Sequence, residues 1–169
     1  MRPRSFYFLT ATMVFCLLAI SGCDRGAHPK SIGRMAPDFT VTDNGKTVSL
    51  GQFRGQMVLL NFWATWCPPC VVELPSLLDL HHRMPNLVIL AVSVDTDADT
   101  YHKFLETHHV DLLSVRDPSQ QSNRLYGTVQ FPESYLIDRS GHILRKFIGA
   151  QEWTSPDILR YLNAVSAQH

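Results

Sequence analysis

The chain has 169 residues, with 15 Lys+Arg against 15 Asp+Glu and 45% hydrophobic residues. Balanced charge with no basic run excludes the electrostatic footprint of a nucleic-acid binder and of a protein held to membranes by charge alone. The length beyond the first thirty residues or so is one domain's worth, enough to bury a proper core, and nothing indicates a second domain.

In chain order the first feature is a short basic start, Arg2 and Arg4, running into an apolar stretch over residues 6–20 broken only by Thr10 and Thr12. This reads as an export signal. It falls short of the roughly 20 residues a stable transmembrane helix needs, so removal is expected rather than permanent insertion. Leu18-Ala19-Ile20-Ser21-Gly22-Cys23 resembles the lipobox of bacterial lipoproteins, which implies that Cys23 becomes the lipidated first residue of the mature chain. An ordinary secretory signal with Cys23 incidental is the alternative. By likeness to lipoprotein sorting, Asp24 implies retention at the inner membrane, facing the periplasm. The polar stretch over residues 24–30, with Gly26 and Pro29, reads as a flexible tether. The expected division is therefore signal peptide 1–22, lipidated Cys and tether 23–32, and folded domain 33–169.

Within the domain, residues 38–50 predict a hairpin turning at Asn44-Gly45. Met57-Val58-Leu59-Leu60-Asn61-Phe62-Trp63 is a nearly continuous apolar run, as in a central strand covered on both faces. From Pro69 to about Met84 the pattern turns helical, with Val72, Leu77, Leu78 and Leu80 apolar and Pro75 expected to kink it. Residues 87–94 form a second buried run, Asp95-Thr96-Asp97 a turn and cap, and residues 98–109 a helix. Residues 112–115 suggest a short strand, and Asp117-Pro118-Ser119 opens a helix that stops at Gly127. Residues 134–137 and 142–147 flank Asp138-Arg139-Ser140-Gly141 as a second hairpin, and Thr154-Ser155-Pro156 begins a last helix. Strand–helix–strand, then a hairpin and a helix, predicts an α/β fold with a mixed central sheet flanked by helices and an added N-terminal hairpin.

Cysteine usage carries the chemistry. Cys16 lies in the signal and Cys23 in the lipobox, leaving Cys67 and Cys70 for the domain. A bridge closing two residues constrains the unfolded chain little, so stapling is not its purpose. At a helix start after a buried strand, the free N–H groups and dipole favour a thiolate at Cys67, the expected nucleophile. Cys70, one turn in and less accessible, is the expected resolving thiol. Zinc sites also use Cys-x-x-Cys, but they normally need four ligands and no second Cys pair exists; His81-His82 and His108-His109 could supply two only from a distance. Haem attachment needs His after the second Cys, where Val71 stands. The expectation is no metal, and no cofactor beyond the redox-active pair.

Asn61-Phe62-Trp63-Ala64-Thr65-Trp66-Cys67-Pro68-Pro69-Cys70, with Glu73 and Pro75, resembles the active-site strand and helix of the TlpA/ResA-like branch of the thioredoxin superfamily. Phe131-Pro132-Glu133-Ser134-Tyr135-Leu136-Ile137-Asp138 is similar to that branch's second signature, and Gly33-Arg34-Met35-Ala36-Pro37-Asp38-Phe39 to its front segment. The resemblance implies a thioredoxin-like fold and thiol–disulfide exchange. It implies a cis bond before Pro132, which faces the Cys pair and presents the Phe131 backbone to a substrate peptide. Trp66, Pro68 and Pro69 complete the expected substrate-binding set, with Trp66 shielding the thiolate. Glu73 matches an acidic residue under the active site; buried there, it would have a raised pKa and could accept the Cys70 proton. General thioredoxins carry an Asp six residues before the nucleophile, where this chain has Asn61, which cannot act as a base.

Pro69 before Cys70 resembles reducing thioredoxins more than strong oxidants, which carry His there, so the reductase direction is favoured. The implied partners are thiols and disulfides of envelope proteins, apocytochrome c among them, with a membrane thiol shuttle as electron donor and the protein expected as a monomer. An oxidising disulfide donor is one alternative. A copper metallochaperone on the same fold is another, marked by Cys-x-x-x-Cys-Pro and a distant His, whereas two residues intervene here. A binding module with an incidental Cys pair is the third. The peroxide-binding Thr-x-x-Cys pattern of peroxidases is absent.

Overall fold

The computed structural model describes residues 31–168. The expected signal peptide and lipidated Cys23, and all but the end of the tether, lie outside them. No helix among the described residues is long and apolar enough to cross a membrane.

The strands are β1 (Thr40–Asp43), β2 (Lys46–Ser49), β3 (Met57–Trp63), β4 (Leu87–Ser93), β5 (Leu113–Arg116), β6 (Glu133–Ile137) and β7 (Ile143–Ile148). The helices are α1 (Pro68–Arg83), α2 (Ala98–Thr107), α3 (Gln121–Leu125) and α4 (Pro156–Gln168). Five strands form one sheet in the order β5-β4-β3-β6-β7. β3 runs parallel to β4 and antiparallel to β6, so the sheet is mixed, as expected.

β3 sits at the centre with all seven residues buried, which is why its sequence is apolar without alternation. The period of two reappears in what each side chain touches. Met57, Leu59 and Trp63 join Leu77 and Leu80 of α1, Tyr101 of α2 and Leu162 of α4 in one core. Val58, Leu60 and Phe62 join Phe39, Val41 and Val48 of the front segment and Tyr126 in the other. The front hairpin is a separate two-stranded sheet turning through Asn44 and Gly45 at φ 49° and 76°, a turn that needs left-handed backbone at both positions. Burying Val41 and Val48 gains roughly 1.5–3 kcal/mol per side chain, which holds the hairpin over the second core.

Two local expectations need correction. Val72 is 76% exposed; at 100° per residue it points away from the buried line of Cys70, Glu73, Leu74, Leu77 and Leu80. Pro75 lies inside α1 as expected, on its exposed side. Asp117 does not open α3, which starts at Gln121 after Gln120 takes a left-handed φ of 56°. Instead the Asp117 carboxylate accepts from the Ser122 N–H at 2.8 Å and from its hydroxyl, capping from outside the helix.

Candidate active site

The end of β3 delivers the chain to the helix through a braced loop. Thr65 donates its N–H and its hydroxyl to the Asp95 carboxylate at 2.9 and 2.7 Å, and Asp95 is itself buried at the end of β4. Cys67 then caps α1, with Pro68 and Pro69 in the first turn, where a missing N–H costs nothing. Cys67 and Cys70 are joined as a disulfide with Cα atoms 5.3 Å apart, and the Cys70 N–H donates to Cys67 Sγ at 3.3 Å.

The expected difference in accessibility is not seen, since each cysteine is 4% exposed. What separates them is the space each faces. Cys67 lines an open groove of about 480 Å³, and Cys70 lines a cavity of about 10 Å³ behind it.

The groove gathers all five residues expected to bind substrate: Trp66, Pro68, Pro69, Phe131 and Pro132. The Phe131–Pro132 bond is cis, and Pro132 walls both groove and inner cavity. Trp66 is 62% exposed and meets Phe131 edge to face at 6.0 Å, so its indole is surface beside Cys67 rather than core. Sequence reasoning missed Val129 and Ile148, exposed apolar residues of the groove. Their apolarity is visible in sequence, but their outward facing is not.

Glu73 is buried, 3% exposed, and walls the inner cavity with Cys70, Asn61, Trp63 and Pro132. Burial pushes its carboxyl up to about 8, partly opposed by the Trp153 indole N–H, which donates to Oε1, and by the Gln151 backbone. Oε2 is equally buried and has no partner in the protein. At neutral pH this acid is therefore mostly protonated beside Cys70. Trp153 is the second omission; a lone Trp before a helix carries no motif. Asn61 donates to Ser134 Oγ at 2.9 Å and serves strand pairing. His82 lies in an exposed pair with Asp111, and His142 bonds Ser140. Among the described residues no group of three or more His, Cys, Asp or Glu is placed to hold a metal ion.

Residues 32–146 match the AhpC/TSA family. The chain is 32% identical over 143 residues to the thiol-disulfide oxidoreductase ResA of Bacillus subtilis (strain 168), spanning 83% of this chain and 79% of that protein. The chain belongs to the AhpC/TSA family, in its ResA-like thiol–disulfide oxidoreductase branch. The ResA of Geobacillus kaustophilus is 34% identical over 138 residues, covering 80% of this chain and 78% of its own. A crystal structure of a putative thiol:disulfide interchange protein DsbE from Chlorobium tepidum superposes with a TM-score of 0.73 at 30% identity, covering 79% of this chain and 96% of that one. The pneumococcal exposed lipoprotein thioredoxin Etrx1 superposes with a TM-score of 0.65 at 26% identity, covering 76% of this chain and 99% of its own. The fold is thus thioredoxin-like, and this ResA-like chain is an enzyme of thiol–disulfide exchange whose partners are protein thiols and disulfides.

Proposed function

We propose that this oxidoreductase works in the reducing direction in the bacterial cell envelope, as a monomer tethered by a lipid on Cys23 to the inner membrane and facing the periplasm. The lipobox-like run before Cys23 supports the anchor, as does likeness to a neighbour described as an exposed lipoprotein thioredoxin. The observation that carries the exchange mechanism is the division of space at the Cys pair. Cys67 lines the groove where a substrate can reach it, and Cys70 sits behind beside the Glu73 carboxyl.

In the reduced enzyme the Cys67 thiolate attacks a substrate disulfide sulfur, forming a mixed disulfide as the other substrate sulfur leaves as a thiolate. Cys70 gives its proton to Glu73 and attacks the Cys67 sulfur. The substrate's second thiolate departs, two electrons have passed to the substrate, and Cys67–Cys70 is again a disulfide. A membrane thiol shuttle supplies the next electron pair, and no cofactor beyond the cysteines takes part. Apart from Cys67 the groove contains no titratable side chain, and Trp66, Val129, Phe131 and Ile148 give it an apolar surface. The substrate class is accordingly an envelope protein presenting a cystine flanked by apolar residues, as in a chain not yet folded, apocytochrome c included.

The test is the reduction potential of Cys67/Cys70 against glutathione. A value near the roughly −270 mV of thioredoxin fits a dedicated reductase, and one near −120 mV makes the protein a disulfide donor and ends this reading.

A further inference from the structure

The segment joining β7 to α4 is tied to both sides of the active site. Gln151 Nε2 donates to the carbonyl of Gly149, a groove residue, at 2.9 Å. Two residues on, Trp153 is fully buried, with its ring edge to face on Phe147 at 4.9 Å. Its backbone N–H donates to Ser76 Oγ at 3.1 Å, and that hydroxyl is shared between the carbonyls of Glu73 and Gln151 at 3.0 and 3.2 Å. The indole N–H donates to Glu73 Oε1, and the Gln151 backbone bonds the same carboxyl. The carboxyl is thus held from one side, while buried Oε2 has no protein partner. Of the residues around the inner cavity only Glu73 and Cys70 titrate, and none is cationic.

We propose that Trp153 is a positioning residue for thiol exchange: its indole N–H clamps Glu73 Oε1 and leaves Oε2 as the oxygen that takes the Cys70 proton. The proposal rests on the reading of Glu73 as proton acceptor given above. Tryptophan suits the task chemically, because its N–H is a donor only and does not compete for the proton in transit. A hydrogen bond to a carboxyl group strengthens as that group ionises, so this donor favours the charged form that burial opposes. Proton balance is simple. Cys70 loses its proton to Oε2 as its sulfur bonds Cys67 Sγ, the bond from Cys67 to the substrate breaks, and the departing thiolate takes a proton from solvent.

The experiment removes the donor in two ways on the full chain. Trp153→Phe keeps an aromatic ring; replacing Trp153 by β-(3-benzothienyl)alanine keeps the bicyclic shape without the N–H, so a fold lost in the first variant does not end the test. The first readout is the pH midpoint of the Glu73 carboxyl stretch in infrared difference spectra of the oxidised protein, assigned by its loss in Glu73→Gln. The second is the pH profile for resolution of a Cys67 mixed disulfide. The expected results are a midpoint raised by about one pH unit and resolution at pH 7 slowed about tenfold, with the profile unmoved when the Trp153 replacement is made in Glu73→Gln. A purely structural Trp153 would slow resolution equally with or without the carboxyl. That outcome, or an unchanged infrared midpoint, overturns the proposal. The infrared midpoint does not depend on the direction of electron flow, so a strongly oxidising potential would end the reductase reading without moving this result.

Discussion

Glu73→Gln separates the energetic cost of the buried carboxyl from its shape. The side chain keeps its size, and the amide oxygen still accepts from the Trp153 indole, but it cannot ionise. In the native protein the carboxyl titrates near 8, against 4.5 when unperturbed. Well below pH 4.5 both native and unfolded states hold the proton, and the group adds no pH dependence. As pH rises through 4.5 the unfolded chain releases its proton while the native state keeps it, so stability falls until the native group ionises near 8. The slope is about 1.4 kcal/mol per pH unit, or about 3 kcal/mol lost by pH 7 and about 4 to 5 kcal/mol by the end of the window. Urea unfolding of the disulfide forms at pH 5, 6, 7 and 8 measures this directly, because every other titration is common to both proteins and cancels in the difference. Glu73→Gln should gain on the parent protein by about 3.5 kcal/mol between pH 5 and pH 8. A stability difference that stays flat across that range would refute the account of Glu73 as a neutral buried acid.

Two further substitutions address the groove and the frame behind it. Val129 is 85% exposed, so Val129→Asp should change stability by less than about 0.5 kcal/mol yet raise KM for an unfolded protein substrate about tenfold, because it places a carboxylate on an apolar docking surface. Steady-state kinetics showing an unchanged KM would contradict the apolar-substrate reading. Lys146 Nζ lies 2.7 Å from Glu133 Oε1 with both side chains largely covered, so Lys146→Met removes the cationic partner of a buried acid whose other oxygen keeps only the Thr128 and Tyr135 hydroxyls. It should cost about 3 kcal/mol or more, much of it recovered by adding Glu133→Gln; a loss under about 1 kcal/mol in urea unfolding would contradict this.

The elements legible in the sequence are those whose burial or turn chemistry leaves few options. β3 and β4 are covered on both faces, so their apolar runs mark them almost to the residue. Asn44-Gly45 marks its hairpin because both positions take positive φ. Asp97 likewise caps α2 through its carboxylate on the Thr100 N–H at 2.7 Å. Two motifs far apart in the chain meet at the groove, and because each is a recognisable signature, sequence alone pairs Cys67 with Pro132. Features set by tertiary packing were not legible. Val72 and Val129 look like core residues by type and face outward, while Glu73 looks like a surface residue and is buried. Trp153 acts through a contact 80 residues away in sequence, and no local pattern encodes that distance.

The spacing of the Cys pair makes the two environments possible at once. Three residues along a helix carry the chain about 4.5 Å and nearly a full turn, so the sulfurs can bond while the side chains border different spaces. The outer space is open and apolar and needs no charge to admit a peptide. The inner one is closed and contains an acid that is mostly neutral at pH 7. A permanently ionised carboxylate beside Cys70 would repel a thiolate there, whereas a protonated one does not. In the proposed exchange the small fraction of ionised Glu73 present near neutrality is the fraction that would take the Cys70 proton, and it grows with pH towards 8. The proposed exchange therefore predicts that the resolving step carries the pH dependence of Glu73. On the proposed mechanism the inner cavity would set how readily the mixed disulfide is released, and the groove which proteins form it.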